Sequence, residues 1–138
     1  MWGLGVWFGF NRLVRVGWGM ARRLVMTLLN TPPGNASAPI AQAAVAAAMG
    51  NDTCVVFTGD SGRIAVNGVA AAEPSADGTG RTLHDVIRDA VEAGVVFRIC
   101  SPAVARFGDD LIPEIREVVG AAWLIAQVSE PGTVTLTY

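Results

Sequence analysis

The run Leu24-Val25-Met26-Thr27-Leu28-Leu29 carries apolar side chains on both faces of any strand it forms, and it stops at Asn30-Thr31-Pro32-Pro33-Gly34. A strand of that kind belongs inside a sheet covered on both sides. The same pattern returns at Thr53–Thr58, halted by Gly59-Asp60-Ser61-Gly62, and at Val95–Ile99, Arg116–Val119 and Thr133–Tyr138. Helix-forming stretches separate these runs. Ala38–Met49 is alanine-rich, with Ser37 as the expected N-cap, Pro39 in the first turn and Gly50 beyond the end. Thr82–Ala93 places Leu83, Val86, Ile87, Ala90 and Val91 on one helical face, with Thr82 and Asp85 spaced as a capping box and Gly94 at the C-terminal turn. Ala121–Ser129 reads as the last helix. Arg63–Ala72 is assigned as helix in preference to a hairpin turning at Asn67-Gly68, and Glu73–Gly80 as a surface loop. Strands alternating with helices give an α/β fold built on a mainly parallel five-stranded sheet with helices on both faces.

Composition narrows the function classes. The 138 residues suffice for one domain, 51% of them are apolar and only 16% are charged. A formal charge of −2 leaves no basic field for a nucleic acid backbone. Gly59-Asp60-Ser61-Gly62-Arg63 matches neither a dinucleotide fingerprint nor a P-loop, and the chain contains no lysine to meet a phosphate. One histidine, His84, supports neither a triad nor a metal cluster, and its place in the first turn of a helix reads as solvated surface. No cofactor or metal is therefore expected. The two cysteines show no disulfide or zinc spacing, which suits a reducing cytosol.

The first nineteen residues stand apart, with three tryptophans, two phenylalanines, two arginines and no acid. Asn11, Arg12 and Arg15 break the apolar span that a transmembrane helix requires, and the charges follow the apolar stretch instead of preceding it as in a secretory signal. Residues 1–20 are read as an extension outside the fold, with Met20 as a natural start, and residues 21–138 as the single domain. The competing reading is an interfacial membrane anchor through residues 1–19; five glycines in that stretch, at about 1 kcal/mol each in a helix, weigh against it.

The most informative residue for chemistry is Cys100, in Val96-Phe97-Arg98-Ile99-Cys100-Ser101-Pro102-Ala103-Val104-Ala105-Arg106-Phe107. A thiol where a strand ends and a helix begins lies beyond the carboxyl edge of the sheet, where ligands and reactive groups of open parallel sheets collect. With Ser101 as N-cap and Pro102 at the first helical position, free amides would favour thiolate over thiol, and Arg106 and Arg98 would add positive charge if they face the sulfur. Asn30 and Thr31 after the first strand, and Asp60 and Ser61 after the second, share the edge and are candidates for a pocket beside Cys100; an ordinary turn or cap is the structural alternative for each. Cys54 lies within its strand and reads as core, as Cys100 itself would if it merely packs. Trp123 and Phe107 suit either core or a subunit interface.

These segments also carry a resemblance. Phe57-Thr58-Gly59-Asp60, Glu92-Ala93-Gly94-Val95-Val96-Phe97-Arg98-Ile99-Cys100, Asp110-Leu111-Ile112-Pro113 and Val118-Val119-Gly120-Ala121-Ala122, in this order, resemble the DsrE/DsrF-like family of small sulfur-handling proteins over roughly residues 22–138. The resemblance implies a flavodoxin-like or Rossmann-like α/β/α sandwich and a homo-oligomer, trimer or hexamer. It also implies that Cys100 accepts sulfane sulfur as a persulfide from a donor protein and passes it to an acceptor protein. Relatives with a Cys-x-x-Cys pair differ from this chain, which has Ala103 at the second position, so a resolving cysteine would have to be Cys54. The alternative is a non-enzymatic ligand-binding or assembly module of the same fold in which Cys100 is structural.

Overall fold

A central strand of a parallel sheet must bury both faces, and Val25, Met26 and Leu28 of β1 (Arg23–Leu28) do so. The computed structural model describes residues 22–138. The reading of residues 1–20 as an extension, or of residues 1–19 as a membrane anchor, lies outside the described residues. In the sheet, β1 sits between β2 (Asp52–Phe57) and β5 (Thr133–Thr137), and β3 (Val96–Cys100) and β4 (Ile115–Val119) follow β2. The order is β4-β3-β2-β1-β5 and every neighbouring pair is parallel. The chain is an α/β protein, with a sheet wholly parallel where a mainly parallel one was expected. No helix among the described residues is long and apolar enough to cross a membrane.

Three crossovers step in one direction across the sheet: α1 (Ser37–Ala48) leads to β2, α2 (Val69–Ala72) and α3 (Leu83–Ala93) lead to β3, and α4 (Ser101–Phe107) leads to β4. Right-handed connection puts these helices on one face. There Ile40, Ala43, Ile87, Ala90 and Ala103 join Met26, Leu28, Val55, Phe57, Phe97 and Ile99 in the main core, where the rings of Phe57 and Phe97 stack at 5.8 Å. The last connection, α5 (Ala121–Val128), returns from one edge of the sheet to the other, so the same handedness moves it to the opposite face. Trp123, Leu124 and Val128 pack there on Val25, Cys54, Val56, Cys100 and Val119.

The capping box forms as the sequence predicts: the Asp85 N–H donates to Thr82 Oγ1 at 3.3 Å, the Thr82 N–H donates to Asp85 Oδ2 at 2.9 Å, and Gly94 closes the helix at φ 114°. Three local expectations are corrected. Arg63–Ala72 is not one helix: a 3-10 segment, Gly59–Ala65, ends at Val66, which bridges to Leu111, and Asn67 bonds to Asp110 before α2 begins after Gly68 at φ 91°. Pairing with the segment before β4 overrides local helix propensity here. Ser37 is inside the first turn of α1 while Ala36 holds the N-cap position; the Ser37 hydroxyl accepts from the Ala76 N–H at 3.4 Å and so tethers the 73–80 loop. His84 is buried, not solvated, with Nε2 2.8 Å from Glu114 Oε1.

The His84–Glu114 contact joins α3 to the residues entering β4. Burial alone would raise the Glu114 carboxyl, but the His84 hydrogen bond, a backbone bond and the nearby Arg88 hold it below the ordinary range. A depressed carboxyl contributes stability above its unfolded pKa of about 4.3 and loses it as pH falls through the folded value. Glu114→Gln is expected to destabilise the protein by about 1–3 kcal/mol at neutral pH and to shrink the loss of stability below about pH 4, as read by urea unfolding at a series of pH values. An unchanged acid limb would contradict this.

Candidate functional site

Adjacent strands whose outgoing connections leave toward opposite faces open a crevice at their carboxyl ends. In this sheet the pair is β3 and β4: α4 follows β3 into the main core, and α5 follows β4 onto the other face. Cys100 is the last residue of β3 and pairs with Val119, the last of β4. The cysteine therefore stands at the point where the winding reverses. The register shift in this pair gives β4 one extra residue, Arg116, so that Glu117 and Val119 face the same side as Arg98 and Cys100.

Cys100 is the N-cap of α4, with extended backbone (φ −75°, ψ 142°), so Ser101 is the first helical residue and not the cap. Its side chain takes no capping hydrogen bond, and burial pushes the thiol above its ordinary range. The expected thiolate stabilisation by two arginines is not present. Arg98 shares the face of Cys100 but donates to Glu117 Oε1 at 2.6 Å and to Cys54 Sγ at 3.1 Å, with its guanidinium 4.7 Å from the Trp123 ring centre. Arg106 pairs with Asp60 and covers the ring of Phe107.

Four of the other six predicted site residues fall into two pairs. Ser61 is fully buried, and its hydroxyl accepts from the Thr31 N–H at 2.8 Å while its own N–H donates to Thr58 O at 3.0 Å. The two thus weld the turns after β1 and β2 together. Gly59 makes that junction possible: at φ 51°, a side chain would bring Cβ within 2.7 Å of Leu29 O. Gly62 likewise admits α4, since its Cβ would lie 2.5 Å from Ala103 Cβ. Asp60 and Arg106 form an exposed ion pair above the same junction. Asn30 and Ser101 are exposed. All six share the carboxyl edge, and among the described residues none hydrogen-bonds to Cys100.

The surroundings of Cys54 were not legible as a cluster. Register shows why they form one: Cys54 pairs with Val96, and Val56, Arg98 and Glu117 form the next row on the α5 face. Cys54 borders a cleft of about 100 Å³ lined also by Arg23, Asp52, Arg98, Trp123 and Gln127. Burial raises its thiol, opposed by the Arg98 hydrogen bond. Alternation along β2 and β3 was the available signal, together with the complementary charges of Arg98 and Glu117 on neighbouring strands.

Cys100 lies four residues beyond the Val96 that pairs with Cys54. At about 3.3 Å per residue this separates the cysteines by about 13 Å along the strands, whereas a disulfide needs Cα atoms about 5.5–6 Å apart. Peroxide or diamide treatment of the folded protein is expected to yield no Cys54–Cys100 bridge by non-reducing peptide mapping. Recovery of that bridge without prior unfolding would contradict the geometry.

The DsrE/DsrF-like family model matches residues 24–132. No curated protein sequence matches the chain. The matched span runs from β1 to the turn before β5 and includes the cysteine at the reversal of the winding; the chain belongs to the DsrE/DsrF-like family.

Proposed function

We propose that the protein is a sulfur carrier of the relay type, with Cys100 as the acceptor of sulfane sulfur. The observation that carries this reading is the position of Cys100, at the carboxyl end of β3 where the connections part to opposite faces. Family membership adds sulfur handling as the class of chemistry. In the reaction, the Cys100 thiolate attacks the terminal sulfur of a donor persulfide: one S–S bond forms on Cys100, the donor's S–S bond breaks, and the donor leaves as a thiolate. An acceptor thiolate then attacks the outer sulfur of the Cys100 persulfide and releases Cys100. No oxidant or reductant is consumed and one thiol suffices, so Ala103 at the second position of the absent Cys-x-x-Cys pair is no obstacle.

A desolvated thiol is ionised less at neutral pH but is the stronger nucleophile once ionised. Cys54 lies within β2 beneath α5 and its sulfur is already engaged by Arg98, which leaves Cys100 as the thiol without a hydrogen-bond partner. The proposed site of action is the cytoplasm, with separate donor and acceptor proteins as partners. Val118, Ile125, Val134 and Leu136 are exposed apolar side chains on β4, α5 and β5, and support assembly of several copies into a trimer or hexamer.

Incubation with a persulfide donor is expected to add about one sulfur atom per chain to the intact mass, in the wild type and in Cys54→Ser but not in Cys100→Ser. Sulfur that loads only through Cys54, or fails to load while Cys100 alkylates normally, would leave the non-enzymatic binding module as the better account. Light scattering of the full chain is expected to give a trimeric or hexameric mass that Ile125→Asp lowers. A monomeric wild type would remove the assembly proposal without touching Cys100.

A further inference from the structure

Cys100 lacks a charged neighbour for its sulfur anion, yet the register places one polar side chain beside it. The β2–β3 pairing runs to Phe57 and Ile99, and the next residue on each strand, Thr58 and Cys100, is still extended, at φ −134°, ψ 169° and φ −75°, ψ 142°. Phe57 and Ile99 point into the main core, so Thr58 and Cys100 both point to the α5 face, side by side. Side chains opposed in this way have Cβ atoms about 5 Å apart. Thr58 is only 9% exposed, and its hydroxyl makes no side-chain hydrogen bond among the described residues. Its backbone is fixed at both ends: the N–H donates to Leu28 O at 2.8 Å, and the carbonyl accepts from the Ser61 N–H at 3.0 Å.

A threonine hydroxyl can rotate to donate to a neighbour that carries negative charge. We infer that Thr58 is the hydrogen-bond donor for the anionic forms of Cys100, the thiolate that attacks and the persulfide anion that follows. In the resting thiol the hydroxyl is not engaged, in agreement with a thiol shifted only by burial. When sulfur charge develops, the hydroxyl rotates about χ1 to donate, while Arg98 stays on Glu117 and Cys54, and Arg106 on Asp60. A persulfide places its outer sulfur about one S–S bond, about 2 Å, beyond Sγ, which widens the reach of the contact. This inference rests on the carrier reading for its purpose, but its physical content concerns the thiolate alone.

The test follows alkylation of the Cys100 peptide from about pH 6 to about pH 10 in the full-length wild type and in Thr58→Val, Thr58→Ala and Thr58→Ser. Loss of the hydroxyl in the first two is expected to move the midpoint upward by about one pH unit and to slow alkylation about tenfold at neutral pH. Serine, which keeps the hydroxyl, should restore the wild-type profile. Profiles of Thr58→Val and Thr58→Ala that superpose on the wild type would overturn the inference, as would a Thr58→Ser profile matching theirs. A wild type whose Cys100 alkylates but never loads sulfur would refute the carrier reading alone, with the role of Thr58 still decided by the four profiles. A Cys100 inert to alkylation throughout would overturn both.

Discussion

The handedness of the connections between parallel strands decides where this molecule can have a site. Three successive crossovers move the same way across the sheet, so α1, α3 and α4 share a face and bury the larger core. After β4 the chain returns to the far edge beside β1; the unchanged handedness then requires α5 on the other face. The winding therefore reverses between β3 and β4, and Cys100 stands at that reversal. Other features of the region serve to hold that edge in place. The Ser61–Thr31 bond and the positive φ of Gly59 join the β1 and β2 turns, and Gly62 lets α4 approach closely enough for Ala103 to be buried.

Hydrogen-bond partners separate the chemistry of the two thiols. Both are desolvated and both are pushed upward, but their neighbours differ. Cys54 is engaged by the guanidinium of Arg98, itself tied to Glu117 and stacked on Trp123, in a network of side chains projecting from neighbouring strands and α5. Its sulfur works as a hydrogen-bond acceptor in a packed layer. Cys100 has no such partner; by strand alternation Thr58, one residue past the last β2–β3 pair, falls on the same face. A thiol left without a structural hydrogen bond at the carboxyl edge of a sheet is suited to a reaction in which negative charge on sulfur appears and disappears.

Much of this was legible in the residues because the relevant signals are local. Continuous apolar runs closed by Gly, Pro, Asn and Asp marked the strands, and Thr82, Asp85 and Gly94 bounded α3. The family resemblance rested on segments that the family match later covered. What escaped the sequence depends on contacts between distant segments. The Arg63–Ala72 stretch is broken by Val66 and Asn67 pairing with Leu111 and Asp110, and His84 is buried by Glu114, thirty residues away. The partners of Arg98 and Arg106 were equally invisible, since which carboxylate or sulfur a guanidinium meets is set by strand register and by the packing of α4 against the Gly59–Ala65 segment.

The central claim is that sulfane sulfur resides on Cys100. Its most direct test is to isolate the wild-type protein with no added donor, trap it at once with a thiol-alkylating reagent, and weigh the peptides. The account predicts a fraction of the Cys100 peptide carrying one extra sulfur beneath the alkyl group, removable by a reducing agent, and none on the Cys54 peptide. Extra sulfur on Cys54 instead, or on neither peptide after isolation and after exposure to a persulfide donor, would contradict it.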